Sequence, residues 1–539
     1  METATPNRRE PCLARNVLGY IPAGVLLALV FLVYKDYGIT WDERVQSEYG
    51  ERALGYYFSG GADVSYLKVG NLKYYGALFE TSAALAYGTG SLGKYETRRL
   101  LCALMGVLTV AGVARLGGMI GGPPTALAGA MALALNPAYF GQMFVNSKDV
   151  PFAALFTWSM IYLAMTLSPG GAVWRNALAS GLCVGLAAGV RPAGLMPLMI
   201  MAGGGALFSF SASGKAAPRK SLTVKLSCAF LLAWMVMAAL WPFAHGGWFN
   251  AIIGIKEALR FSTSYQTLFM GENFRSDQLP WYYLPVNLLI TTPPAILILA
   301  GAGAISGALS LTRPYSGKRM TLFLALFWFF FPVAYCMAAR PNIYDGIRHF
   351  IFILPAMAVL AGYGASLALD LAGAWIGRPA AAAAIAAALL APSVELVRLH
   401  PYQYAYFNFL VGGVAGADGR YETEYWTSSY KEAIEWLAQN GAPAPGGKVK
   451  VLVAANSFNK ICAQNFAPPW MEVVTTEEAL GGLIPPPGVA GGDLPTGFGY
   501  YLATYRYGMS QAFPAAVIEH IIGGEGAVFA VIKKARRRP

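Results

Sequence analysis

Charge is what this sequence has least of. Of its 539 residues only 13% are Asp, Glu, Lys or Arg, against roughly a quarter in soluble domains. With 56% apolar residues and a mean hydropathy of +0.46, that scarcity excludes a soluble globular enzyme, a disordered chain and a nucleic-acid-binding protein. Cysteine is thin as well. The six at positions 12, 102, 183, 228, 336 and 462 are scattered, with no metal-ligand spacing and no disulfide framework. No internal repeat is visible, which speaks against the inverted-repeat architectures of transporters. A leader-cleavage site is missing too: the first apolar run, Val17–Tyr34, follows Arg8, Arg9 and Arg15 but runs into Lys35-Asp36. It is expected to remain as a first span with its N-terminus inside.

Apolar runs are what the chain has in abundance. Beyond the first they lie near 100–120, 122–140, 150–167, 177–190, 193–210, 226–243, 283–306, 320–338, 350–369 and 380–397. That predicts eleven spans, most of them near the ~20 residues needed to cross a bilayer. Reading 177–210 as a short hairpin with Arg191-Pro192 at its tip returns Lys215, Arg219, Lys220 and Lys225 to the cytoplasm. The inside segments then carry thirteen basic residues and three acids, Glu2, Glu10 and Asp370. The expected organisation is a cytoplasmic tail over 1–16, a bundle over 17–397 with long outer loops at 35–98 and 244–282, and an outer α/β domain over 398–539. In that domain Val449–Val453, Tyr500–Tyr505 and Ala527–Ile532 read as strands. Ser429 precedes a helix with Ala433, Ile434 and Leu437 on one face. All four histidines (His245, His349, His400 and His520) fall outside, so the chemistry is expected to face outward.

Four polar clusters sit at outer membrane edges. Thr40-Trp41-Asp42-Glu43 follows span 1, and its paired carboxylates read either as a general base or as a solvated loop start. Asn146-Ser147-Lys148-Asp149 precedes Pro151; Asp149 could simply cap a helix, but Lys148 lies outside against the charge rule. Arg191 at the hairpin tip is a semi-buried cation that needs either an acidic partner or a ligand phosphate. In "RPNIYDGIRHF", residues 340–350, Arg340, Arg348 and His349 gather positive charge for phosphate oxygens or for lipid headgroups. Together the clusters describe transfer from a lipid-linked phosphate donor, with a carboxylate base on one side and cations for the leaving phosphate on the other. A single dominant carboxylate without an opposing acid argues against a glycoside-hydrolase pair.

The order of "WDE" after span 1, "NSKDVPFA" before span 4, "GLAAGVRPAGL" in the hairpin and "YDGIRHFIFILP" entering span 10 resembles the GT-C superfamily. The likeness covers most of residues 15–400. It is similar in particular to protein O-mannosyltransferase-like enzymes and to the aminoarabinose transferases of lipid A. That resemblance implies an all-α polytopic membrane bundle of GT-C type. It implies a multi-pass enzyme of the cell membrane, active on its periplasmic or exterior side. Such an enzyme moves a sugar from a polyprenyl-phosphate donor to an acceptor lipid, glycan or protein, usually with inversion.

By resemblance Asp42 matches the catalytic aspartate and Glu43 the second acid beside it. Asp149 matches the acid of the second outer loop, and Arg348 the arginine that meets the lipid phosphate. Arg191 corresponds more loosely. Lys148, Arg340 and His349 join the expected donor-phosphate set, and Trp41 the positioning set. The chain departs from the eukaryotic mannosyltransferases in having no insert of β-trefoil size between 244 and 282. No cofactor or metal is assigned, although Asp42 and Glu43 could together ligate a hard divalent cation through oxygen. A lipid flippase or transporter for a phosphate-bearing substrate, and a non-catalytic assembly subunit, are the rival readings.

Overall fold

The computed structural model describes residues 17–171, 173–212, 219–260, 263–441, 447–482 and 491–536. Arg8, Arg9, Arg15 and Lys215, four of the cations assigned inside, lie outside the described residues. So do the tail 1–16 and part of the Pro/Gly-rich stretch 482–498. The chain opens with α1 (Val17–Val33), α2 (Trp41–Phe58), α3 (Leu78–Thr89) and the long α4 (Lys94–Gly121). There follow α5 (Pro123–Ala134), α6 (Pro137–Val145), α7 (Asp149–Leu167), α8 (Trp174–Val190), α9 (Leu195–Ala212), α10 (Arg219–Ala239) and α11 (Asn250–Arg260). The hairpin β1 (Gln266–Phe269) and β2 (Glu272–Arg275) precedes α12 (Tyr283–Thr291), α13 (Pro294–Ser310), α14 (Gly317–Ala339), α15 (Leu354–Ile376) and α16 (Arg378–Leu390).

Among the described residues seven helices are long and apolar enough to cross a membrane, or eight if the bent pair α12–α13 is one span. The Arg348–Ile376 and Asp149–Leu167 spans stand at the centre, with 83% and 78% of their apolar windows buried. Lys220–Ala239 and Arg378–Arg398 ring the outside with only 22% and 17% buried. Apolar helices left bare in this way find their solvent in lipid. Two expected spans are not single helices. The run 122–140 breaks at Leu135 because Asn136 caps a new helix, accepting from the Tyr139 amide, and Pro137 starts it. The run 283–306 bends by 118° where Pro293 and Pro294 withdraw two backbone donors.

Above the bundle lies an outer layer. After the short helices α17 (Ser393–Arg398) and α18 (Gly413–Ala417) comes α19 (Tyr430–Asn440), which buries Ala433, Ile434 and Leu437 as its sequence periodicity requires. A five-stranded sheet follows, built from β3 (Val449–Val453), β4 (Met471–Thr475), β5 (Tyr500–Thr504), β6 (Val517–Gly524) and β7 (Ala527–Lys534). Its order is β4-β3-β5-β7-β6. β3 runs parallel to β4 and β5, and β7 antiparallel to β5 and β6.

The outer layer shares one continuous core with the bundle. Tyr37 stacks on Phe144 at 4.1 Å and donates to Gln403 at 2.9 Å. Gln142 donates to the Tyr425 hydroxyl at 2.8 Å, and Asn408 donates to the carbonyls of Leu289 and Thr292.

Candidate active site

The first wall of the site is the N-terminus of α2. Thr40 caps it, and the Glu43 carboxylate reaches back to accept from the Thr40 amide at 2.9 Å. Glu43 is therefore turned inward. Its other oxygen lies 3.9 Å from Arg98, which is fully buried and also paired with Glu80 and within reach of Gln46 and Ser147. Burial raises the Glu43 carboxyl above its ordinary range, with Arg99 and Arg98 opposing. Asp42, one residue earlier, points the other way and is 40% exposed at its side chain. The two neighbouring carboxylates do not converge.

Asp42 lines a polar cavity of about 210 Å³. Lys148 and Asp149 enter it from the start of α7, Arg191 from the end of α8, and Arg348 from the turn leading into α15. Two carboxylates thus meet three cations, leaving the cavity electropositive. The Arg191 and Asp149 side chains form an ion pair at 2.7 Å, while Asn146 holds the second Asp149 oxygen at 2.9 Å. Lys148 lies 4.7 Å above the Tyr75 ring, and burial holds its ammonium below the usual lysine range, against the pull of Asp42 and Glu80.

Arg348 is buried between the rings of Tyr344 (4.6 Å) and Trp426 (5.2 Å). One of its terminal nitrogens lies 3.1 Å from Asp345 and 3.4 Å from Asp42. Asp345 is completely buried and left-handed, at φ 57, a conformation that Asp tolerates better than most residues. Its other oxygen lies 2.8 Å from Arg506, which comes from the outer sheet layer.

A second, apolar cavity of about 280 Å³ opens beside the first. Phe152, Ile200, Leu259, Phe331 and Tyr335 furnish much of its lining. The two cavities share Tyr75, Arg191, Tyr344 and His349. Three buried nitrogens in these walls lack a hydrogen-bond partner: Nε of Arg191, Nε of Arg348 and Nδ1 of His349. An anion with a long apolar tail matches both halves. The tail would leave water, and the head would meet fixed cations.

The structure brings Asp42, Lys148, Asp149, Arg191, Arg348 and His349 into one place. It does not bring Arg340, which ends α14 in a left-handed conformation on the exposed surface and lines neither cavity. Trp41 lies just behind the wall, its amide on the Trp426 carbonyl and its ring under Arg506 at 4.8 Å. Glu43 belongs to the buried ionic layer beneath. Among the described residues no group of three His, Cys, Asp or Glu side chains is placed to hold a metal. Sequence reasoning missed Tyr75, Glu80, Arg98, Asp345, Glu422 and Arg506. Asp345 stood inside the "YDGIRHF" motif, but that motif draws attention to its cations.

No protein-family model matches the chain, and no curated protein does. In solved structures it is similar to ArnT from Cupriavidus metallidurans bound to undecaprenyl phosphate, at 12% identity and a TM-score of 0.47, over 95% of this chain and 97% of that one. It is also similar to the archaeal oligosaccharyltransferase AglB from Archaeoglobus fulgidus, in complex with an inhibitory peptide and a dolichol-phosphate. There the identity is 13% and the TM-score 0.47, over 91% and 69% of the two chains. A third similarity is to the arabinofuranosyltransferase AftD from Mycobacteria, at 15% identity and a TM-score of 0.47. It spans 98% of this chain but 40% of that one.

Proposed function

We propose that the protein is a membrane glycosyltransferase of the GT-C type, moving a sugar from a polyprenyl-phosphate donor to an acceptor hydroxyl at the outer face of the membrane. The observation that carries this reading is the shared wall between an apolar cavity and an electropositive one, with Arg191 and His349 at the join and Asp42 across the polar side. The isoprenoid tail occupies the apolar cavity, and its phosphate meets Arg191, Arg348 and Lys148. The sugar then lies in the polar cavity. The acceptor oxygen forms its bond to the anomeric carbon as the bond from that carbon to the phosphate oxygen breaks. Asp42 takes the acceptor proton, and the cations hold the charge that builds on the departing polyprenyl phosphate. Attack from the side opposite the phosphate inverts the anomeric centre.

Arg348 links the two halves of the reaction. Its guanidinium lies 3.4 Å from Asp42, so the group that meets the phosphate stands beside the base. Eleven crossings belong to this proposal, with α1, α5, α8 and α13 as the short ones, the N-terminus inside and the site outside. The basic bias of the inside segments supports that orientation.

The test uses the full chain in lipid nanodiscs with undecaprenyl phosphate as probe. The wild type should bind it and ignore undecaprenol, and Arg348→Ala should weaken binding at least tenfold. Equal affinity for the alcohol, or an indifferent Arg348→Ala, overturns the donor assignment. Sugar transfer in membranes should fall by roughly 10²–10⁴ in Asp42→Asn; a flippase would be unaffected.

A further inference from the structure

We propose that Arg506 is a positioning residue for Arg348, acting through Asp345, so that the outer sheet layer completes the phosphate site it does not touch. This rests on the reading of Arg348 given above. Arg506 follows β5 and reaches toward the bundle, but it lines neither cavity. Three of its contacts are one step from a cavity residue. Its Nη2 lies 2.8 Å from Asp345, whose second oxygen meets Arg348. Its Nη1 donates to the Tyr425 carbonyl at 2.9 Å, and the next residue, Trp426, forms one face of the Arg348 sandwich. Its plane covers Trp41, the neighbour of Asp42.

The charge arrangement supplies the reason. Asp345 is completely buried, and a carboxylate there needs compensation. With Arg348 as its only cation, Asp345 would bind that guanidinium closely and turn it from the cavity. Arg506 takes one carboxylate oxygen and leaves Arg348 the other, so a terminal nitrogen of Arg348 can face Asp42 and an incoming phosphate. Glu422, 3.4 Å from Arg506, fixes that arginine from behind. A rigid planar fork suits this task because three acceptors must be met at once, which a lysine ammonium on a flexible stem does poorly.

The competing account makes Arg506 a latch that only fastens the sheet to the bundle. Undecaprenyl phosphate binding to the full chain in nanodiscs separates the two. Arg506→Gln should weaken affinity about tenfold, and Arg506→Lys should recover part of it. In an Arg348→Ala background Arg506→Gln should cause no further loss. A latch predicts either a lower melting temperature at unchanged affinity, or the same fold-loss whether or not Arg348 is present; either result overturns the proposal.

Asp345→Asn interrupts the same link from its middle and serves if Arg506→Gln folds poorly. It should be non-additive with Arg348→Ala too, and additivity would count against the link. A ligand-free arm reads phenylglyoxal modification of Arg348 by mass spectrometry, which should slow in Arg506→Gln as Asp345 draws the guanidinium from the cavity. If the wild type binds no undecaprenyl phosphate yet this reactivity still falls in Arg506→Gln, the donor assignment falls and the positioning link stands. Unchanged reactivity with intact binding by the wild type sinks the link alone.

Discussion

Asp42 and Glu43 are neighbours in the chain with opposite surroundings, and substitution should separate their roles. Asp42→Asn keeps shape but accepts no proton, so turnover should fall by roughly 10²–10⁴ while undecaprenyl phosphate still binds. Glu43→Gln removes a buried charge that faces Arg98 and should cost about 1–3 kcal/mol of stability with donor affinity unchanged. Its melting temperature and its binding curve, measured together, check that split; lost affinity without lost stability would return Glu43 to the site. Glu422 offers a pH test. Burial pushes its carboxyl up to about 8, with Asp345 adding to the shift and Arg506 opposing it. The folded chain therefore keeps a proton that the unfolded chain has released, so this group's contribution is full below about pH 4.5 and is lost as pH rises through 8. Melting temperatures at pH 6 and pH 9 should move in favour of Glu422→Gln as pH rises, and a gap that stays constant refutes the assignment. At this scale the sequence is legible where a polar residue interrupts an apolar context. Arg191 and Arg348 announce themselves that way, and Asp42 and Lys148 through the charged clusters that hold them. Arg506 does not, because its partner Asp345 lies 161 positions away in the chain.

Elements hold these side chains in place through close backbone approach. Gly76, next to Tyr75, packs so tightly on the end of α8 that a Cβ there would stand 1.9 Å from the Gly189 carbonyl oxygen. Gly76→Ala must therefore push the end of α8, and with it Arg191, costing about 1–3 kcal/mol. Undecaprenyl phosphate affinity should fall with stability in Gly76→Ala, whereas Gly203→Ala, with no atom within 4 Å of its Cβ, should change neither. Normal binding by Gly76→Ala would mean that Arg191 is not fixed by this contact. The sequence showed helices and strands wherever one period ran unbroken, as in α19 and β3. It hid the breaks at Asn136-Pro137 and Pro293-Pro294, because hydropathy averages across a proline. Strands β4 and β6 and the β1–β2 hairpin went unseen, since their partners are supplied by the fold.

For the whole molecule, lipid must cover α10 and α16, and the outer layer must stand on one side of it. Under the proposed orientation Lys448→Cys, at an exposed position beside β3, should react in intact cells with a maleimide that cannot cross the membrane. Labelling only after lysis would reverse the parity, and the turn at Arg191 would be the place to revise. A change of composition between the bundle and the outer layer was legible in the sequence. Their common core was not, because the aromatic residues that build it, Tyr404, Tyr425 and Trp426, read locally as an ordinary polar-aromatic linker.

The Arg506–Asp345 contact also has a history in time. It joins residues 161 positions apart, so a ribosome working at ~5–20 residues per second delivers the second partner roughly 10–30 s after the first. During that interval the nascent bundle carries Asp345 and Arg348 without the cation that balances them. Under the proposed link the pocket becomes competent only once Arg506 has been made, and a chain halted before β5 would be inserted but idle.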